Sequence, residues 1–145
     1  MTVECLSRAG GNSGTATPCQ QPLRQRILVV EDEQLILRLN SNILMSAGYQ
    51  VDAAEDGAVA WDALQLNHYD AMVTDNDMPV LSGLELLRKI FAAGLALPVV
   101  MATGKLPAKE FACAPWLRPH AILLKPYTVR ELLGAVQNVL LMVQV

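Results

Sequence analysis

Short apolar runs alternate with amphipathic segments along the chain from Arg26 onward. The runs are rich in β-branched residues and too short for helices, which is typical of parallel strands buried on both faces. Between them, apolar residues recur at helical spacing. The pattern predicts strands over 27–30, 49–54, 69–74, 97–103 and 121–124, and helices over 33–48, 57–67, 82–94, 107–114 and from 128 onward. Strict alternation of strands and helices indicates an α/β protein with a doubly wound parallel sheet and helices on both faces.

The helical segments carry further signals. Two of them begin with Ser/Thr-x-x-Glu capping boxes, Ser82 with Glu85 and Thr128 with Glu131. The fourth helix is expected to be short, since prolines follow it closely and break helix interiors. In the first helix the residues at helical spacing are Ile36, Leu39, Ile43 and Ala47, and the last helix is expected to bury Val129, Leu132, Leu133, Val136 and Leu140.

Length and composition bound the class of protein. The chain has 145 residues, 52% of them hydrophobic and 17% charged, as expected for one globular domain. Residues 1–24, rich in Gly, Ser, Thr and Pro, are expected to be a flexible tail, and 25–145 a single domain with no output domain following it. A stand-alone protein and a fragment of a longer one fit this pattern equally.

Charge and cysteine content restrict location and partners. The net charge of −3 argues against direct binding of nucleic acid, which requires a basic surface. Cys5, Cys19 and Cys113 are scattered and lack metal-ligand spacing, as expected of free thiols in a reducing cytoplasm. No secretory signal opens the chain, and its longest apolar stretch is interrupted by Gly94 and Pro98. We therefore expect a cytoplasmic protein without membrane contact.

Polar residues follow four of the five predicted strands. They are Glu31 and Asp32 after the first strand, Asp75 after the third, Thr103 at the end of the fourth, and Lys125 after the fifth. In an open parallel sheet, ligands bind beyond the carboxyl ends of the strands, so these groups converge on one edge. Clustered carboxylates favour a hard cation such as Mg²⁺, and a hydroxyl and an ammonium suit an added anion. The set predicts phosphoryl transfer with a carboxylate nucleophile.

Four motifs in order give the chain a family resemblance. They are ILVVEDE at the first strand, DNDMP after the third, PVVMATG at the fourth and LLKPY after the fifth. With these motifs, residues 26 to about 143 resemble the receiver domain of bacterial two-component response regulators. The resemblance implies a flavodoxin-like five-stranded sheet of order 2-1-3-4-5.

The resemblance also assigns roles around one aspartate. Asp75 is expected to be the phosphoacceptor. Asp32 and Asp75 are expected to ligate Mg²⁺ through their side chains, Glu31 through a bound water, and Asp77 through its backbone carbonyl.

Further roles concern the phosphoryl group. The resemblance implies that Thr103 hydrogen-bonds a phosphoryl oxygen, that Lys125 pairs first with the aspartate and then with the phosphoryl group, and that the peptide bond before Pro126 is cis. Ile122 departs from the family, which commonly has Tyr or Phe there as a rotamer switch. Switching is therefore expected to use aliphatic repacking or the proline-rich segment.

Partners follow from the same resemblance. The phosphoryl donor is expected to be a histidine kinase or a histidine phosphotransfer protein. A downstream protein is expected to bind the face formed by the fourth helix, fifth strand and fifth helix. The apolar last helix is also compatible with a homodimer contact. The residues two past the aspartate and two past the threonine, Asp77 and Lys105, are hypothesised to pair across the mouth of the site and to tune dephosphorylation.

Two alternatives remain at this level. A pseudo-receiver would use the same fold only for binding, although the aspartate, threonine and lysine that such proteins usually lack are present. A haloacid-dehalogenase-like phosphatase would use the Asp-x-Asp of TDNDMP as nucleophile and acid/base. Those enzymes begin with that motif and need further acidic motifs after it, and they do not account for the acidic pair on the first strand.

Overall fold

The computed structural model describes residues 24–143. Strands and helices alternate as β1 (Arg26–Val30), α1 (Gln34–Ser46), β2 (Gln50–Ala54), α2 (Gly57–Leu66), β3 (Ala71–Asp75), α3 (Gly83–Ala92), β4 (Val99–Thr103), α4 (Ala108–Cys113), β5 (Ala121–Leu124) and α5 (Val129–Val143). Most of the expected N-terminal tail, together with Cys5 and Cys19, lies outside the described residues. Cys113 is a free and exposed cysteine, as expected.

The strands form one parallel five-stranded sheet of order β2-β1-β3-β4-β5, which confirms the expected topology. β1, β3 and β4 are the central strands, and β3 and β4 are buried along their whole length. Successive strand residues point to opposite faces, so each central strand contributes to both cores. One core lies under α2, α3 and α4, and the other under α1 and α5. This arrangement fixes the carboxyl ends of β1, β3 and β4 side by side.

The buried face of α1 agrees with the expected one only in part. Ile36 and Ile43 are partly buried, and Ile43 packs against the core. Leu39 is 58% exposed and Ala47 is also exposed, whereas Asn40, Ser41 and Leu44 are buried. The helix carries apolar residues around most of its circumference, so hydrophobic spacing did not single out one face. The Asn40 amide donates to the Tyr127 hydroxyl at 2.9 Å, so this polar residue has a partner in the interior.

The last helix follows its expected face with one exception. Leu132, Val136 and Leu140 are buried and Leu133 is partly buried against the same core, but Val129 at the first helical position is 52% exposed. Val139, which was not expected in the core, is fully buried. α4 is as short as its flanking prolines predicted.

Both predicted capping boxes are formed. At α3 the Ser82 hydroxyl accepts from the Glu85 N–H, and the Glu85 carboxylate accepts from the Ser82 N–H. Thr128 and Glu131 make the same reciprocal pair at α5. These bonds satisfy donors that a helix start leaves without an intrahelical partner. None of the helices between residues 24 and 143 has the length and apolar character needed to cross a membrane.

Candidate functional site

The polar groups at the strand ends converge at one edge of the sheet. Asp75 is the last residue of β3, and Thr103 is the last residue of the neighbouring β4. Glu31 and Asp32 follow β1 on the other side of β3, and Lys125 follows β5. The strand order therefore places Asp75 between the acidic pair and the threonine, as the sequence predicted.

Asp75 and Lys125 form a direct ion pair. The Asp75 side chain is only 3% exposed, and its Oδ1 accepts a hydrogen bond from the Lys125 Nζ at 2.6 Å. Burial alone lowers the pKa of Lys125, but the hydrogen bond and negative charge of Asp75, with Glu31 and Asp77, outweigh it and raise that pKa. The lysine is therefore charged at neutral pH and oriented by the carboxylate. The Lys125–Pro126 peptide bond is cis, as the resemblance implied.

Three carboxylates share this site. One carboxylate oxygen from each of Glu31, Asp32 and Asp75 lies within 4.8 Å of the other two. Burial of Glu31 and the nearby charge of Asp75 raise the pKa of Glu31 to about 7. A bound cation reduces the repulsion among clustered carboxylates and favours their ionised forms. A donor set that contains only oxygen atoms suits a hard ion such as Mg²⁺. The donor chemistry thus fits the expected metal.

The Thr103 hydroxyl is fully buried and engaged with the following loop. It donates to the Lys105 carbonyl at 2.9 Å and accepts from the Lys105 N–H at 3.3 Å. To bind a phosphoryl oxygen beside Asp75, this hydroxyl has to exchange the Lys105 carbonyl for the new acceptor. Such an exchange links the site to the loop between β4 and α4.

Asp77 and Lys105 lie on the loops that follow β3 and β4, but they do not form the expected ion pair. Both line a cavity of about 460 Å³ between the loops that follow β3 and β4. Among the salt bridges of residues 24–143, none joins these two side chains. The Asp77 carboxylate instead accepts from the Gly104 N–H at 3.4 Å. The aspartate therefore contacts the backbone of the opposite loop rather than the lysine.

Ile122 takes the position where the family commonly has an aromatic residue. It is partly buried and packs against the core cluster that contains Phe111 and Leu117, from α4 and the segment after it. The position therefore makes an aliphatic core contact in place of the family's aromatic residue.

Sequence reasoning missed two residues next to the phosphoacceptor candidate. Asn76 binds the first turn of α3 through its side chain and its carbonyl, and Gly83 lies against the Asp75 backbone. The available signal was an asparagine directly after a strand and a glycine directly after a capping serine. Neither pattern reveals by itself which backbone the glycine must approach.

Comparison with known proteins places this geometry in a family. A sequence model of the response regulator receiver domain matches residues 27–137. The response regulator MprA of Mycobacterium sp. (strain KMS) is 34% identical over 115 residues, which cover 79% of this chain and 50% of that protein. The chain spans about half the length of the curated relatives it matches.

Solved structures agree with the assignment. A receiver domain protein from Clostridium thermocellum has 28% identity and a TM-score of 0.73, covering 83% of this chain and 97% of that one. The response regulator TrrA from Thermotoga maritima, solved in complex with Mg(2+)-BeF, has 28% identity and a TM-score of 0.69, covering 79% and 98%. Fold, acidic pocket and sequence lead to the same conclusion: the chain belongs to the response regulator receiver family of two-component systems.

Proposed function

We propose that Asp75 accepts a phosphoryl group from the phosphohistidine of a histidine kinase or a histidine phosphotransfer protein. The observation that carries the proposal is a buried carboxylate at the end of β3, held by Lys125 at 2.6 Å and flanked by the carboxylates of Glu31 and Asp32. A carboxylate oxygen of Asp75 forms the new bond to phosphorus while the bond between phosphorus and the donor histidine nitrogen breaks. The product is an aspartyl phosphate, whose hydrolysis returns the free carboxylate.

The same residues can hold the metal that this chemistry needs. Asp32 and Asp75 would bind Mg²⁺ through their side chains, Glu31 through a water, and Asp77 through its backbone carbonyl. When bound, the ion supplies positive charge that neutralises the charge developing on the transferred group. The oxygen-only donor set supports this proposal, as does the similar TrrA structure, which was solved with Mg(2+)-BeF.

Lys125 and Thr103 are proposed to recognise the phosphoryl group. The Lys125 ammonium orients the Asp75 carboxylate before transfer and pairs with a phosphoryl oxygen afterwards. The Thr103 hydroxyl leaves the Lys105 carbonyl and donates to another phosphoryl oxygen. Movement of the β4–α4 loop and repacking at Ile122 would then shift the population of conformers at the α4–β5–α5 face.

This output face has apolar groups available for a partner. Leu124 on β5 and Val129 at the start of α5 are both exposed. A downstream protein or a second copy of the chain is the proposed occupant. Sedimentation with and without the phosphoryl donor separates these two cases, because only self-association depends on the concentration of this chain alone.

Asp77 and Lys105 are proposed to limit access of water to the aspartyl phosphate. They act from the rim of the cavity, with Asp77 holding the Gly104 amide rather than the lysine. Asp77→Ala and Lys105→Ala should each accelerate dephosphorylation and leave phosphorylation of Asp75 possible. Unchanged dephosphorylation rates in both variants would end this part of the proposal.

The deciding experiment is incubation with phosphoramidate or acetyl phosphate and Mg²⁺, followed by intact mass measurement. The wild type should gain one phosphoryl group, and Asp75→Asn should gain none. Asp62→Asn is the matched control, because it makes the same change at an exposed aspartate of α2. Absence of an adduct with small donors and with histidine-phosphorylated donors would favour a binding-only receiver. Steady turnover of a phosphate ester would favour a phosphatase.

A further inference from the structure

The start of α3 is docked on the backbone that directly follows Asp75. The Gly83 N–H donates to the Asn76 carbonyl at 3.3 Å, and the Leu84 N–H donates to the Asn76 Oδ1 at 2.9 Å. The first N–H groups of a helix have no intrahelical acceptor, so the Gly83 and Leu84 N–H groups are free to bind Asn76. One residue, Asn76, thus binds the first two amides of the helix through both its side chain and its carbonyl.

Gly83 allows this docking because it has no side chain. A Cβ atom at this position would lie 2.5 Å from the Asp75 carbonyl oxygen and 2.9 Å from the Asn76 Cα. Both are backbone atoms, so rotation of a side chain could not relieve the clash. The Gly83 φ angle is outside the left-handed region, which means that the glycine is required by space and not by its backbone conformation.

The opposite side of the same peptide is held by the sheet. The Asn76 N–H donates to the Ala102 carbonyl of β4 at 2.9 Å. The Asp75 carbonyl, which faces Gly83, accepts from the Thr74 hydroxyl at 3.0 Å. The Asp75–Asn76 backbone therefore lies between β4 and the first turn of α3. Its position determines where the Asp75 carboxylate and, two residues further on, the Asp77 carbonyl are presented.

We infer that Asn76 and Gly83 are positioning residues for phosphoryl transfer: docking of the α3 start sets the Asp75 carboxylate and the Asp77 carbonyl against Glu31 and Asp32. This inference rests on the proposed function of Asp75. A displacement of about 1 Å at a reacting group can reduce a rate about a hundredfold. The docking of α3 is thus part of the phosphorylation machinery as well as of the fold.

The central test is Gly83→Ala in the full chain, compared with two control glycines. At Gly57 an added Cβ would lie 2.8 Å from atoms of Leu81, a clash with the loop that does not involve the Asp75 backbone. At Gly134 an added Cβ meets nothing within 4 Å. Phosphorylation by phosphoramidate and Mg²⁺ binding are measured and corrected for the folded fraction, which circular dichroism gives.

Gly83→Ala should lower the phosphorylation rate of the folded protein at least about tenfold and weaken Mg²⁺ binding. Gly57→Ala should lose stability without this loss of rate. Gly134→Ala, in the interior of α5, should leave the rate unchanged and should not lose stability, because alanine favours a helix more than glycine does. A folded Gly83→Ala variant with the wild-type rate and Mg²⁺ affinity would overturn the inference.

Asn76 gives a second test that does not depend on Gly83→Ala folding. In metal-free protein, Asn76→Ala should accelerate hydrogen exchange at the Leu84 amide, whereas Asn76→Asp, which keeps the acceptor oxygen, should restore protection. The phosphorylation rate should follow the same order. Unchanged Leu84 exchange in Asn76→Ala would refute the docking contact. If the wild type is not phosphorylated at all, the proposed function fails, while this metal-free measurement still decides whether Asn76 holds the helix.

Discussion

Replacement of Lys125 by methionine tests the electrostatic balance of the site. The substitution keeps the length of the side chain and removes the ammonium that binds Asp75 at 2.6 Å. Three carboxylates whose oxygens lie within 4.8 Å of one another then lose a direct cationic partner. We therefore expect Lys125→Met to fold less stably than the wild type in metal-free buffer.

The magnitude follows from the burial of the two partners. A hydrogen bond to a charged group contributes about 1.5–3 kcal/mol, and removing one partner of a fully buried ion pair costs about 3–5 kcal/mol. Asp75 is 3% exposed but the Lys125 side chain is 29% exposed, so solvent screens the pair in part. A loss of about 2 kcal/mol is expected, which corresponds to a decrease in Tm of about 6–10 °C for a domain of this size.

Urea denaturation with and without Mg²⁺ measures this effect. The proposed Mg²⁺ ion would bring positive charge to the same carboxylates, so adding it should stabilise Lys125→Met more than the wild type and reduce the difference in stability. Lys109→Met, at an exposed lysine of α4, is the control and should change stability by less than about 0.5 kcal/mol. Equal stability of Lys125→Met and wild type in metal-free buffer would refute the electrostatic reasoning.

Three further predictions concern the scaffold. Val80 has a φ of 69° and is 88% exposed, so Val80→Gly should relieve backbone strain of about 1–2 kcal/mol. The greater conformational entropy of glycine in the unfolded chain offsets part of this gain, and urea denaturation should show an increase in the free energy of unfolding of about 0.5–1 kcal/mol. A loss of stability would contradict this prediction. Burial and the hydrogen bond to Asp52 raise the pKa of Tyr69 to about 12. The contribution of Tyr69 to stability should therefore be complete below pH 10 and decline as the pH rises towards 12. Absorbance at 295 nm should show one late-titrating phenol that Tyr69→Phe removes. Asn40→Ala should cost about 1 kcal/mol because the Tyr127 hydroxyl loses its partner, and a double-mutant cycle with Tyr127→Phe should be non-additive; full additivity would show that the bond contributes nothing.

The local sequence predicted most of the elements because each strand and helix carries its own signal. The β-branched run before Glu31 and the capping boxes at Ser82 and Thr128 depend on neighbours within a few residues. Such local preferences survive in the folded protein when tertiary contacts agree with them. α1 shows the limit of this reasoning, because its apolar residues surround the helix and the buried face was decided by the neighbours of Asn40 and Leu44.

The site was predictable in composition but not in all its contacts. Alternation of strands and helices places all strand ends at one edge, so Glu31, Asp32, Asp75, Thr103 and Lys125 could be grouped without coordinates. The hypothesised pair of Asp77 and Lys105 required the relative placement of two loops, and there the Asp77 carboxylate binds the Gly104 amide.

By itself, the sequence determined the order of elements, the sheet type and the acidic pocket, because these depend on residue type and short-range periodicity. The phosphoacceptor candidate came from the family resemblance of its motifs. Only the tertiary structure decided which backbone Gly83 approaches, what Asn76 holds and where Asp77 points. Each of these contacts joins segments that meet only after β3, β4 and α3 have packed, and hydrogen-bond distances of 2.9 and 3.4 Å between them are properties of the packed chain.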